Sequence, residues 1–213
     1  LKLLLKYLDK NWSSAVFASR DEEKKYYDET KSMLINYHEH FIKGKFKKAY
    51  ACEPYFELPV GEDFVTIGFI DRIEKLPDGT YEVIDYKTEP RLRTQQEVDE
   101  DLQLTVYYWA CIKNFGITPS KLSLDFLRHN KRITTTRSQK DIDNLIRNIG
   151  ELGIKMMAEK EFAPKLNKYC SVCDHLAGCP LEQEARQKAK VDEESYLKEI
   201  ELSREIAAVP DSE

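Results

Sequence analysis

No stretch of this chain is apolar for long enough to cross a bilayer as a helix, which takes about 20 residues, and no secretory leader opens it. It has no glycine-rich loop of the kind that cradles phosphates, so nucleotide turnover of the P-loop type is excluded. No Ser/His/Asp set is evident, which leaves acyl transfer without a nucleophile and base. Positive charge is not in excess: 33 Lys and Arg stand against 38 Asp and Glu, for a net charge of -5. That balance argues against a uniformly basic nucleic-acid binder but leaves room for a local basic patch. Cysteine is scarce, and three of the five cluster near the C-terminal end. This usage points to a metal or cluster site in a reducing cytoplasm rather than a disulfide framework. No repeat or low-complexity linker divides the chain. Leu1 stands where an initiator Met would, so a fragment or trimmed chain is expected.

What is present suits one sizeable domain with appendages: 213 residues, 41% hydrophobic and 33% charged. Residues 1–12 and Asp21 to Lys43 read as helices, the second ended by Gly44. Residues 51–60 look extended, and a hairpin follows from about Phe64 to Thr88. Thr94-x-x-Glu97 is a capping-box pattern opening a helix to Asn114, stopped by Gly116 and Pro119. Lys121 to His129 alternates as a strand, with a short Thr-rich partner from Arg132 to Arg137. Ser138-x-x-Asp141 caps a helix reaching about Lys160, and residues 182–207 form a charged helix. Strands, helix, strand and helix in that order predict a mixed α/β layer fold.

The hairpin carries the chemistry. Leu76-Pro77-Asp78-Gly79-Thr80 fits a three-residue loop, a type I turn followed by Gly in the left-handed region. That register sets Asp71 opposite Asp85, with Lys87 on the face of Asp85 and Tyr86 pointing away. A two-residue Asp-Gly turn would set Asp71 across from Tyr86 instead. Carboxylates paired across a ladder repel, and a divalent cation between them reverses the sign. Val65, Ile67, Phe69 and Ile73 share the Asp71 side of the first strand, so Asp71 is expected to interrupt an apolar stripe. Hard oxygen ligands from Asp71 and Asp85, with a backbone carbonyl near Tyr86, suit Mg²⁺ or Mn²⁺. Lys87 could then orient or deprotonate a water or neutralise transition-state charge, parts that fit phosphodiester hydrolysis.

GFIDRIE, YEVIDYKTE and DLQLTVYYWA in succession resemble the RecB-type branch of the PD-(D/E)XK nuclease superfamily, over roughly Ala51 to Pro180. The resemblance implies a restriction-endonuclease-like central sheet flanked by helices, with a Cys loop and helical tail after it. It implies Asp71 and Asp85 as metal ligands, Lys87 as the catalytic lysine, and Gln103 and Tyr107 as an active-site helix pair. Those two lie four residues apart, on one helix face. Glu53, or less favourably Glu57, would supply an outer carboxylate. Many members carry an active-site His upstream behind a Gly-rich approach. Here His38 and His40 lack that approach and read as surface positions of a structural helix.

Cys170-x-x-Cys173 and Cys179-Pro180 form a thiolate array that suits zinc or an iron–sulfur cluster. The trio resembles the iron–sulfur staple of the RecB-type branch, a 4Fe-4S site whose fourth Cys comes from the start of the domain. No Cys occurs in the first fifty residues, and His175 could complete a Cys₃His zinc site. Cys52 and Cys111 read as buried packing residues. Arg91, Arg93, His129, Lys131 and Arg132 are candidate phosphate contacts. The segments predicted are an N-terminal helical part (1–50), a nuclease core (51–162), a Cys-rich loop (163–181) and a charged helical tail (182–213). The function expected is a metal-dependent DNA nuclease, an exonuclease or end-processing enzyme of recombination and repair, beside or fused to a helicase. The alternative is a nuclease-like module that grips DNA or a helicase without cutting.

Overall fold

Glu82 to Asp85 are buried in succession along β5 (Tyr81–Lys87), and an unbroken buried run belongs to a strand covered on both faces. In the computed structural model β5 is indeed the middle of a five-stranded sheet of order β1-β4-β5-β6-β7. It runs antiparallel to β4 (Arg72–Lys75) and parallel to β6 (Pro119–Phe126). β7 (Lys131–Thr135) and β1 (Ala51–Cys52) close the two edges. The parallel β5/β6 pair requires a crossover, supplied by α3 (Gln95–Asp99) and α4 (Leu102–Phe115). The result is the predicted mixed α/β sheet flanked by helices. The structure describes residues 1–43, 48–167, 169–170 and 173–208. It divides into two units, Leu1–Arg147 and Asn148–Glu213. Gly44, the expected helix stop, lies outside the described residues. Among the described residues no helix is long and apolar enough to cross a membrane.

The turn after β4 sets the register. Leu76 N–H donates to the Thr80 carbonyl (2.8 Å), and Gly79 N–H donates to that of Leu76 (3.0 Å). Gly79 has φ +88°, a conformation that favours glycine. This is the three-residue loop, and it pairs Lys75 with Tyr81, Ile73 with Val83 and Arg72 with Ile84. One further step sets Asp71 across from Asp85.

The strand before Asp71 departs from expectation. It breaks in two: β3 (Phe64–Phe69) leaves the main sheet and pairs with β2 (Tyr55–Val60). The ladder nevertheless keeps one register through the break. Cys52 pairs with Arg72, Glu53 N–H donates to Asp71 O (3.1 Å), Ile70 N–H to Pro54 O (3.2 Å), and Tyr55 pairs with Phe69. The bend falls at Glu53, whose φ is +48°. Ile73 is therefore buried under the main sheet, while Val65, Ile67 and Phe69 are exposed. The apolar stripe expected around Asp71 is thus not a core face. Phe56, Leu58 and Val60 fill the inner side of the small sheet. A Cβ on Gly68 would come within 2.8 Å of the Phe56 ring, so glycine admits that ring. Phe56 in turn meets Tyr107 of α4 edge-on at 6.0 Å.

The helices also correct the sequence reading. The helix expected from Thr94 to Asn114 is two helices, because Arg137 takes the carbonyls of Val98 (3.1 Å) and Asp101 (3.0 Å). Thr94 and Glu97 form the predicted capping box on α3. Asp101 caps α4 anew, accepting from Leu104 N–H (2.8 Å). At the N-terminal end lie α1 (Lys2–Asn11) and α2 (Arg20–Tyr37), after which the chain widens into a π-type turn at His38–Ile42. The Tyr37 hydroxyl meets that of Tyr86 (2.8 Å), and Glu29 pairs with Arg128 (2.6 Å), which seats α2 on the back of β5. The second unit holds the end of α5 (Gln139–Ala158) and α6 (Glu182–Ala208).

Candidate active site

Three elements converge on one face of the sheet. Asp71 lies at the bend just before β4, Asp85 and Lys87 alternate along β5, and Gln103 and Tyr107 stack one turn apart on α4. The break between α3 and α4 puts Gln103 in the first turn of α4, where a continuous helix would have held it mid-span.

The side chains form a closed circuit. The Lys87 ammonium lies 2.6 Å from Asp85 Oδ2 and donates to Gln103 Oε1 (2.7 Å). Gln103 Nε2 donates to the Tyr107 hydroxyl (2.7 Å), which donates to Asp85 Oδ1 (3.4 Å). Asp71 Oδ2 accepts the Tyr86 N–H (2.9 Å), so the first carboxylate is held beside the second by the backbone of β5. Burial pushes the Asp85 carboxyl up from its ordinary range, and the adjoining Lys87 opposes that rise. Tyr107 is raised by burial and by the Asp85 charge, so its hydroxyl keeps its proton.

This donor set fits a hard divalent cation. Asp85 is 2% exposed, and its Oδ2 is buried without an aligned hydrogen-bond donor, the ion-pair contact with Lys87 notwithstanding. Two carboxylates meet one ammonium here, and a hard, oxygen-seeking cation suits the surplus negative charge. Asp71 offers a second carboxylate across the ladder. Glu53 contributes its backbone N–H to Asp71, and its side chain is exposed. Among the described residues no group of three or more His, Cys, Asp and Glu side chains is disposed to hold a metal. Neither Glu53 nor Glu57 is therefore gathered with the two aspartates. His38 faces Glu39 (3.3 Å) in the π-type turn.

The arginines after β5 have partners within the protein. Arg91 forms a two-pronged pair with Glu97 (2.7 and 3.0 Å), which holds the Glu97 carboxyl down at about 2. Arg93 bridges Glu89 (2.7 Å) and Asp101 (2.8 Å), and so ties the loop to the cap of α4. Arg132 lies on the opposite face of the sheet, 2.7 Å from the fully buried Asp125. His129 Nε2 contacts the Pro90 carbonyl (2.8 Å), and Lys131 is also engaged. The sequence reading missed Asp101 and Arg137, which set where α4 begins. A signal existed in the Asp-Leu-Gln run, since Asp is a preferred N-cap.

In the second unit Cys170, Cys173 and Cys179 line one hollow with His175, Leu176 and Leu181. Successive turns link them: Cys173 N–H donates to Cys170 O (3.3 Å) and Cys179 N–H to Leu176 O (3.1 Å). Among the described residues the three thiols do not form a group disposed to hold a metal. Cys52 is exposed, contrary to expectation, because β1 is an edge strand; Cys111 is buried in α4, which pushes its thiol up to about 12.

The sequence model of the PD-(D/E)XK nuclease superfamily matches residues 1–180. Among solved structures, the crystal structure of SSO0001 is similar at 19% identity and a TM-score of 0.43, over 85% of this chain and 79% of that one. No curated protein matches the chain.

Proposed function

The chain belongs to the PD-(D/E)XK nuclease superfamily, and on that premise we propose that it hydrolyses phosphodiester bonds of DNA at Asp71, Asp85 and Lys87. The observation that carries this reading is the paired carboxylates of Asp71 and Asp85 on one face of the sheet beside the Lys87 ammonium. Asp71 and Asp85 would hold Mg²⁺ or Mn²⁺, which when bound polarises a phosphoryl oxygen and acidifies a water. Lys87 orients that water or neutralises charge developing on the phosphate. Gln103 fixes the ammonium through its carbonyl oxygen, and Tyr107 fixes Gln103 in turn.

The finer role is exonucleolytic or end-processing cleavage in recombination and repair, in concert with a helicase. The core is residues 51–162, with 1–50, 163–181 and 182–213 as helical segment, Cys loop and tail. Glu53 serves at most as an outer carboxylate. Arg91, Arg93 and Lys131 contribute phosphate affinity that each shares with its protein contacts, so this affinity is salt-sensitive and indifferent to sequence; Arg132, on the opposite face and committed to Asp125, is set aside as a phosphate contact. Cys170, Cys173 and Cys179 hold zinc or an iron–sulfur cluster as a structural clasp, with His175 the candidate fourth zinc ligand.

Labelled single-stranded and duplex DNA incubated with Mn²⁺ tests the central claim. Wild-type protein is expected to give product, and Asp71→Ala to give none while keeping its circular dichroism spectrum. Binding without product by the wild type would favour a gripping module over a nuclease. For the cysteines, anaerobically purified protein is expected to contain stoichiometric iron or zinc; metal-free, colourless protein would remove the clasp.

A further inference from the structure

We propose that Asp101 is a positioning residue for cleavage: bridged by Arg93 to Glu89, it sets where Gln103 stands, and so where Gln103 holds the Lys87 ammonium. The proposal rests on the nucleolytic reading of Lys87 and adds a residue that acts on it through another.

Two contacts join the end of β5 to the start of α4, and they lie in step along both segments. Lys87 meets Gln103 directly (2.7 Å). Two residues onward from Lys87, Glu89 takes the Arg93 guanidinium on both its oxygens (2.7 and 3.2 Å). Two residues back from Gln103, Asp101 takes the same guanidinium (2.8 Å). Arg93 is therefore a brace laid beside the Lys87–Gln103 contact. Both of its anchors are fixed from behind. Arg128 Nε donates to the Thr88 carbonyl (2.7 Å), and Leu127 N–H to that of Lys87 (2.9 Å). Arg137 donates to the Asp101 carbonyl (3.0 Å) and, by Nε, to the Thr105 hydroxyl (2.8 Å).

Capping alone does not call for an aspartate at this position. Asn and Ser cap a helix as well as Asp does, and either would offer the acceptor that Leu104 N–H finds in Asp101 Oδ1 (2.8 Å). Aspartate instead brings a third negative charge toward a site that already holds Asp71 and Asp85. Burial raises the Asp85 carboxyl most, Lys87 opposes that rise, and the charges of Asp71 and Asp101 add to it. What the charge supplies in return is the ion pair of Oδ2 with Arg93. The Asp101 side chain is only 10% exposed, so its partners and not water set its direction.

Gln103 lies in the first turn of α4, so a shift at the cap passes to it through rigid helix. A misplacement of about 1 Å among reacting groups costs about 10²-fold in rate. A partly exposed ion pair adds little to stability. Loss of the bridge is therefore read in rate before it is read in melting.

Asp101→Asn keeps the cap and breaks the bridge. With labelled DNA and Mn²⁺ it is expected to lower kcat about tenfold to a hundredfold at unchanged KM. In a Gln103→Ala background the same substitution should add less than about twofold, because the residue it acts through is gone. An unchanged kcat, or a full further loss in that background, overturns the proposal. A second readout needs no turnover: labelling by acetic anhydride in EDTA, followed by mass spectrometry. Lys87, 18% exposed and held by Asp85 and Gln103, should be acetylated several-fold faster in Asp101→Asn, while the open Lys24, 79% exposed, should not change. Cys111, fully buried on α4, reports the packing of that helix through its reaction with a maleimide. Faster labelling of Lys87 with Cys111 still protected is the expected pattern; both rising together, or neither, overturns the brace. Absence of product from the wild type, with Lys87 labelling raised in the variant, sinks the nucleolytic reading alone. Product from the wild type with unchanged labelling sinks the brace alone.

Discussion

Lys87→Ala is expected to lower the cleavage rate on labelled DNA with Mn²⁺ by about 10³-fold or more, the range seen when a proton-handling or charge-stabilising group is removed. The geometry adds a second, opposite signature. Lys87 is the cation facing Asp85, which is 2% exposed and already raised by burial. Without Lys87 the buried carboxylate loses its compensation, so the metal-free variant should melt below the wild type. A bound divalent cation restores compensation, so Mn²⁺ should raise the melting temperature of the variant more than that of the wild type. Calorimetric scans with and without Mn²⁺, alongside the cleavage assay, separate this from a general folding defect. Equal product from both proteins would remove Lys87 from the reaction.

The second large effect lies on the other face of the sheet. Arg132 pairs with Asp125 (2.7 Å), approaches Glu82 (3.4 Å) and stacks its guanidinium over Phe41 at 4.9 Å. Asp125 is fully buried, and its Oδ1 has no hydrogen-bond partner even with Arg132 in place. Arg132→Met should therefore destabilise the protein by about 3–5 kcal/mol, the cost of leaving a buried charge unpaired. Burial raises the Asp125 carboxyl above its ordinary range while Arg132 opposes the rise. Removing Arg132 therefore moves that carboxyl further up. A carboxyl raised in the folded state favours folding at low pH and loses that contribution as pH climbs through the folded value. The deficit of Arg132→Met should thus shrink on acidification. Adding Asp125→Asn should recover much of it at neutral pH. Urea titrations across pH measure both; a pH-independent deficit would show that Asp125 is not its source.

These two faces show what the sequence could and could not announce. The Asp71–Asp85 register was legible because Pro77 and Gly79 dictate the turn, and turn length fixes every pair behind it. The Gln103–Tyr107 stack was legible from spacing alone. The break of the first strand between Phe69 and Arg72 was not: it lies opposite Glu53, whose positive φ no local pattern demands. The split between α3 and α4 was hidden because the guanidinium responsible, Arg137, arrives from 36 residues beyond Asp101. The Asp125–Arg132 pair was concealed by the same alternation that correctly marked β6 as a strand, since Ser123 and Asp125 occupy positions that periodicity assigns to solvent. α2 covers that side, and nothing in a single strand reveals what is laid over it.

The long bent ladder and the β4–β5 turn share Asp71 as their common point, and each is calibrated by a loop of fixed length. Side chains alternate with a period of two, so adding or deleting one residue between β4 and β5 would turn the Asp71 carboxylate away from Asp85. Residues 77–79 are therefore fixed in number, and Gly79, at φ +88°, in identity as well. Inheritance of this centre is a matter of counting.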